Sequence, residues 1–271
     1  MQLRTEIISA DARQIYRELE IGTAKPSPEQ LAQVKHHFIN IKSIHEAYDA
    51  GSYGREALLV INDLFKIHDS LILCGGSGLY VKALLEGFDE MPNVPPEVRE
   101  SINQEYKTKG LIWLQQEVKR IDPNYFETVD KKNPHRLIRA LELNYFTGKQ
   151  LAAFRQQRKT EHSFEVVKFG LELPREELFN RIDQRMDAMI DQGLFEEAER
   201  FYDLKDLNAL QTVGYQEIIG FMDGLYDKEE AIRLLKRNSR RYAKRQMTWF
   251  KKDKEIKWLN PKVASYNLVK E

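Results

Sequence analysis

The chain has one cysteine, Cys74, in 271 residues. That excludes an internal disulfide and a cysteine-based zinc finger. Cys74 lies in the apolar run LILC, which predicts a buried, structural thiol. Histidine is equally uninformative. His36 and His37 are adjacent and so face different ways, and His135 has no second His or Cys at ligand spacing. The ligand count of a zinc site is not met. No apolar run approaches the ~18 residues needed to cross a bilayer. The N-terminus has no apolar signal core, so a cytoplasmic chain with no membrane partner is expected. There is no internal repeat, no low-complexity tract and no net charge, with 42 basic against 42 acidic residues. A GxxxxGK(S/T) phosphate loop is also absent from the whole chain.

The composition is that of a globular protein, with 42% hydrophobic and 31% charged residues. The length suits one large domain or two smaller ones. The charge is segregated. Residues 95–160 hold 13 Lys and Arg against 8 Asp and Glu, and residues 228–254 hold 11 against 3. Segregated charge makes a local field that a polyanion can use.

The first 94 residues read as alternating strand and helix, with strands expected at Glu6–Ser9, Phe38–Ile41 and Leu71–Cys74. Leu71–Cys74 is a short continuous apolar run, as in a parallel strand covered on both faces. It enters Gly75-Gly76-Ser77-Gly78 and then a helix, a turn that either merely joins the two or presents backbone N–H groups to an anion. Asp11 stands just past the first strand. At the carboxyl end of a strand in an open α/β sheet, a carboxylate is placed for acid–base work, although N-capping the short helix expected next is the commoner use of Asp there. Arg13 and Gln14 follow, then Gly22, Thr23, Lys25 and Pro26 in a second turn.

Three prolines in Met91–Val98 mark a boundary. Helices are expected over Glu97–Arg120 and Asn133–Arg158, the second with Leu137, Ala140, Leu141 and Asn144 on one face and Arg136, Arg139 and Lys149 opposite. A strand is expected within Val166–Leu173 and a helix over Glu176–Asp191, stopped by Gly193. Arg181 and Arg185 share one face of that helix, and Ile182, Met186 and Met189 form its apolar stripe. Lys228–Phe250 reads as a basic helix with Arg237, Arg241, Lys244 and Thr248 on one face and Leu235, Tyr242 and Trp249 on another. Such interleaving of cations and aromatics suits a phosphate backbone. Ile256–Leu259 is the last strand expected.

The runs SADARQ (Ser9–Gln14), GTAKP (Gly22–Pro26), GGSGLY (Gly75–Tyr80), KNPHRLIRALE (Lys132–Glu142), RIDQRMDAM (Arg181–Met189), TVGYQE (Thr212–Glu217) and KRQMTWF (Lys244–Phe250) together resemble the motifs of the tRNA dimethylallyltransferases, in the family's order. Ala12, where the family usually has Ser, departs from its first motif. The resemblance implies an α/β, P-loop-kinase-like, nucleotide-binding fold: a parallel sheet flanked by helices, with an inserted all-helical domain. The catalytic core would comprise residues 1–94 and 161–271, and the tRNA-binding insertion residues 95–160. It implies transfer of a dimethylallyl group from dimethylallyl diphosphate to N6 of adenosine-37, beside the anticodon, with Mg²⁺ as cofactor. Asp11 would be the base and Arg185 a catalytic cation, and Thr23 and Lys25 would bind the diphosphate.

The tRNA contacts implied are Asp11, Ala12, Arg13, Gln14, Ser77, Arg99, His135, Arg136, Leu137, Ile138, Arg139, Gln211, Thr212, Val213, Gly214, Tyr215 and Gln216, joined by Arg241 of the basic helix. The partner would be the tRNA anticodon stem-loop, met by a monomer. Family members begin with a strand and a GxxxxGK(S/T) loop. Their absence suggests a chain short of roughly the first ~35 residues, about a βα unit, and leaves open a silent tRNA-binding relic. An enzyme acting on free adenine nucleotides fits less well, since it needs no helical grip. A missing inner strand should leave Glu6–Ser9 and Leu71–Cys74 with unpaired edges and the chain alone unstable and inactive.

Overall fold

The structure is a computed structural model that describes residues 4–89, 91–155 and 161–262. It divides into two compact units, Met1–Leu85 with Glu161–Glu271, and Glu86–Thr160. The division falls ahead of the proline-rich stretch at Pro95, because the helix before that stretch ends at Leu85.

In the first unit, β1 (Ile7–Ser9) lies between β2 (His36–His37) and β3 (Ile72–Cys74), all parallel. Around them run α1 (Pro28–Gln33), α2 (Ala50–Leu64) and α3 (Gly78–Leu85). Asp49 caps α2 by accepting from Ser52 N at 2.7 Å. The strand expected at Phe38–Ile41 forms earlier, at His36–His37. Phe38 and Asn40 adopt positive φ (64° and 57°), which ends extended structure and sends the Phe38 ring edge-on into Tyr53, 5.1 Å between centroids. Tyr53 stacks in turn on Tyr80 at 4.2 Å. The core formed there by Ile8, Ile15, Leu19 and Tyr53 is fully closed to solvent.

The returning chain adds β4 (Phe169–Leu171), α7 (Arg175–Asp191), α8 (Leu194–Arg200), α9 (Tyr215–Met222), α10 (Lys228–Phe250) and β5 (Lys257–Leu259). In the second unit, α4 (Pro96–Ile121), broken at Gly110, packs on α6 (Pro134–Thr147) with the short α5 (Pro123–Thr128) between them. Its core is Ile102, Leu114, Val118, Leu137 and Leu141. The helix expected to run to Arg158 stops at Thr147, where Gly148 turns left-handed; residues 156–158 lie outside the described residues.

Two expectations about the sheet need correction. β1 has no free edge, being paired on both sides. Cys74 is exposed rather than buried, because β3 is an edge strand whose outward face is uncovered. β4 pairs only with β5, in parallel, so the described strands form two separate sheets. Ile72 on β3 and Phe169 and Leu171 on β4 are exposed. Exposed apolar edge strands template association, and an edge lysine blocks it. The chain should therefore scatter light increasingly with concentration, and Leu171→Lys should reduce that scatter. Equal scatter from both chains would show that these edges are not sticky.

Candidate active site

The apolar strand β1 ends at Ser9, and the next residues turn sharply. Asp11 Oδ1 accepts from Arg13 N at 2.8 Å and from Gln14 N at 3.3 Å. This Asx-type arrangement replaces the short helix expected there. It fixes the carboxylate through one oxygen, and Oδ2 makes no hydrogen bond among the described residues. The Gly-rich turn after β3 docks against the same segment. Ala10 N donates to Cys74 O at 2.8 Å, Ser77 N to Ala10 O at 3.1 Å, and Ala12 N to Ser77 Oγ at 2.9 Å. Gly75 packs so tightly on the Ala10 backbone that a Cβ there would collide with it. Ser77 thus stands beside Asp11 because two strand ends and their turns are laced together.

Gln14 joins the first run to the second. Its Nε2 donates to Thr23 O (3.3 Å) and Ala24 O (3.0 Å), and its Oε1 accepts from Ser9 Oγ at 3.2 Å. Thr23 is buried and donates to Leu19 O (3.1 Å) and Glu20 O (3.0 Å). Lys25 Nζ donates to Tyr16 O at 2.6 Å, and burial lowers its pKa against the pull of Glu20, Glu197 and Glu18. Both side chains expected at the diphosphate are engaged with backbone carbonyls.

A residue that the sequence reading missed holds this loop. Glu197 on α8 is 2% exposed. Its Oε2 accepts from Glu20 N (3.0 Å) and Ile21 N (2.9 Å), and its Oε1 from Gly22 N (2.9 Å) and Tyr215 Oη (2.5 Å). Burial and this bond push the Tyr215 phenol far above its ordinary pKa. Gly22 is required by contact: a Cβ would lie 2.7 Å from the Tyr215 ring. The sequence signal was slight. Glu197 stands three residues after Leu194 and one before Ala198, both buried, so a carboxylate falls on the apolar arc of α8.

Tyr215 is therefore a core residue, not an exposed contact. In the same run Gly214 is buried and donates to Glu217 Oε2 at 2.8 Å, Thr212 and Val213 are half-buried, and Gln211 and Gln216 are exposed and bonded to each other at 2.7 Å. Leu137 and Ile138 are likewise buried, in the core of the second unit, while His135 and Arg136 are exposed. The helical period turns every third or fourth residue of such a run inward.

The carboxyl half of α10 covers the Gly-rich turn. Gln246 Nε2 donates to Gly76 O at 2.9 Å, and the Trp249 indole packs on Gly78. Tyr242, one turn before Gln246, has its pKa raised by desolvation and then by the Asp11 charge, with Arg13 and Arg245 opposing. It remains a neutral hydroxyl near the carboxylate. A groove of about 340 Å³ runs along this helix, lined by Arg241, Lys244, Arg245, Thr248, Trp249 and Lys252. None of these four cations pairs with a carboxylate among the described residues. Arg240 and Lys236 by contrast pair with Asp183 (2.5 Å) and Asp187 (2.6 Å) of α7. Arg185 is exposed on α7, and no hydrogen bond or ion pair among the described residues joins it to Asp11. In the second unit, Arg99 and Arg139 converge on Glu142.

The site is thus a strand-end carboxylate with one free oxygen, a serine and a cationic helix groove around it, on a parallel sheet flanked by helices: the plan of a group-transferring enzyme of the P-loop-like class. Residues 14–253 match the IPP transferase family. A tRNA dimethylallyltransferase of Cytophaga hutchinsonii is 52% identical over 260 residues, 96% of this chain and 86% of the relative. One of Christiangramia forsetii is 48% identical over 264 residues, 97% and 87%. The crystal structure of a full-length tRNA isopentenylpyrophosphate transferase from Bacillus halodurans is similar with a TM-score of 0.67 at 35% identity, covering 95% of this chain and 82% of that one. The chain belongs to the tRNA dimethylallyltransferase family of tRNA-modifying prenyltransferases.

Among the described residues no helix is long and apolar enough to cross a membrane. No group of three His, Cys, Asp or Glu there is arranged to hold a metal, and the Thr23 hydroxyl is turned to carbonyls.

Proposed function

We propose that the chain transfers the dimethylallyl group of dimethylallyl diphosphate to N6 of the adenosine immediately 3′ of the anticodon, acting in the cytoplasm as a monomer. The observation that carries this reading is Asp11, held by two backbone N–H bonds through Oδ1 with no hydrogen bond to Oδ2 among the described residues, next to Ala12, whose N–H donates to Ser77 Oγ. An adenine amine is too weak an acid to lose its proton first. As nitrogen attacks the allylic carbon, the C–O bond to diphosphate breaks, and Asp11 takes the amine proton. Such a general base contributes about 10²–10⁴-fold. Arg185, exposed on α7, is the cation assigned to the diphosphate as its charge develops. Mg²⁺ would accompany the diphosphate and offset its charge, in keeping with its preference for water and phosphate ligands.

Reaching the amine requires the adenosine to leave its stack, at a few kcal/mol. Exposed His135 and Arg136, together with Arg99, Arg139 and Arg241, supply phosphate contacts that offset this. Each phosphate contact removed should lower the log–log salt slope of tRNA binding by roughly 0.7–0.9. Arg136→Ala and Arg241→Ala should each do so, and an unchanged slope in both would make these charges ordinary solvated surface. The reading as a whole is tested by offering the complete enzyme radiolabelled dimethylallyl diphosphate alongside unmodified tRNA or free AMP. Label should enter tRNA and not AMP. Label in AMP alone would assign the enzyme to nucleotide prenylation.

A further inference from the structure

Glu142 is 1% exposed in the second unit, on the buried arc of α6 between Leu141 and Leu143. A carboxylate buried there requires partners. It has two, and both are arginines. Arg99, from the first turns of α4, sets its Nε against Oε1 and its Nη2 against Oε2 at 3.2 Å. Arg139, one turn before Glu142 on α6, sets Nη1 against Oε2 at 3.2 Å. The two cations remain accessible, with side chains 61% and 38% exposed.

Each guanidinium has five N–H donors in a rigid plane. The bonds to Glu142 use Nε and Nη2 of Arg99, leaving Nη1 unbonded among the described residues. They use Nη1 of Arg139, leaving its Nε and Nη2 unbonded there. Two positive charges about one negative charge leave a net positive site. Without the carboxylate, the two guanidiniums would repel and their long side chains would be free to rotate. With it, both are held in place before any ligand arrives. Paired, oriented guanidinium edges are the arrangement that a phosphate diester recognises by charge-assisted hydrogen bonds.

We infer that Glu142 is a positioning residue: it holds Arg99 and Arg139 as one composite site for a backbone phosphate of the RNA substrate. This rests on the proposed tRNA reading and adds to it a residue that touches no RNA itself. The inference makes an unusual demand. Glu142→Gln adds positive charge to a surface that binds a polyanion, and simple electrostatics would make it bind tighter. Positioning makes it bind weaker.

The test is the affinity of the full chain for unmodified tRNA, measured by fluorescence anisotropy, together with the KM for each substrate. Glu142→Gln should weaken tRNA binding about tenfold, the loss of a charge-assisted hydrogen-bond arrangement, and raise KM for tRNA but not for dimethylallyl diphosphate. Arg99→Lys keeps the charge and loses the planar fork; with its fold checked by urea denaturation, it should weaken binding to a similar degree. In a chain carrying Arg99→Ala and Arg139→Ala, adding Glu142→Gln should cost nothing more in binding, since the groups it positions are gone. Binding by Glu142→Gln that equals or exceeds that of the parent overturns the inference. So does an undiminished loss in the double-alanine background, which would mark a general folding defect. If Arg99→Ala and Arg139→Ala leave binding unchanged, it is the tRNA grip assigned to this unit that fails. If they weaken it and Glu142→Gln does not, the grip stands and only the positioning role falls.

Discussion

Asp11→Asn is expected to slow prenyl transfer by about 10²- to 10⁴-fold with tRNA affinity unchanged. The substitution separates the two jobs the carboxylate does. Oδ1 accepts from Arg13 N and Gln14 N, and an asparagine carbonyl oxygen can accept the same bonds. What asparagine cannot do is take a proton from the adenine amine. Asp11→Ala removes both functions. It should show the same kinetic loss plus a stability loss of roughly 0.5–2 kcal/mol, the usual cost of losing a cap. If Asp11→Asn retains near-normal turnover while Asp11→Ala does not, the residue is a cap and the base lies elsewhere.

The largest loss of stability is expected at Glu197. Four donors meet on its carboxylate, Glu20 N, Ile21 N and Gly22 N from one distant loop and Tyr215 Oη from α9. Truncation to alanine orphans them together, and each buried donor left unsatisfied costs about 1–3 kcal/mol. The loop has some access to water, so the donors will not all bear that cost. A loss of about 3–5 kcal/mol is still expected, as for other broken buried charge arrangements, out of a total of roughly 5–15. Tyr215→Phe removes one bond of the four and keeps the ring against Gly22, so about 1 kcal/mol is expected. Urea denaturation of the two variants provides the measurement. Equal losses from both would mean that the backbone N–H groups find water when Glu197 goes, and that the loop is not clamped by it.

The parts of this site that were legible in the sequence are the local ones. A strand that ends in Ser-Ala-Asp and another that ends in Gly-Gly-Ser-Gly announce turns through their own residue types, and the structure places both where two parallel strands finish. The basic face of α10 was legible because helical spacing puts Arg241, Lys244 and Thr248 together. The residues that hold these parts in place were not. Glu197 reaches loops more than 170 residues away, and Gln246 reaches Gly76 at a similar separation. Glu142 meets Arg99 across 43 residues. Nothing in a local pattern distinguishes a carboxylate that caps distant amides from one that faces solvent, except its position on a buried arc. β2 was misplaced because left-handed φ at Phe38, a bulky residue, has no composition signal. The exposure of Cys74 depended on which strand lay at the sheet edge, and that is decided by pairing between segments far apart in the chain.

In the proposed reaction Asp11 serves as the base for prenylation of one adenine amine in tRNA. Single-turnover transfer to a tRNA anticodon stem-loop is the test, comparing the complete enzyme with its Asp11→Asn variant and mapping the product by nuclease digestion and mass spectrometry. A five-carbon group is expected on the adenosine 3′ of the anticodon in the parent reaction. With Asp11→Asn, the same stem-loop should be bound with the same affinity and left unmodified on that timescale. Transfer at the parent rate by Asp11→Asn, or a prenyl group mapped to any other nucleotide, would contradict it.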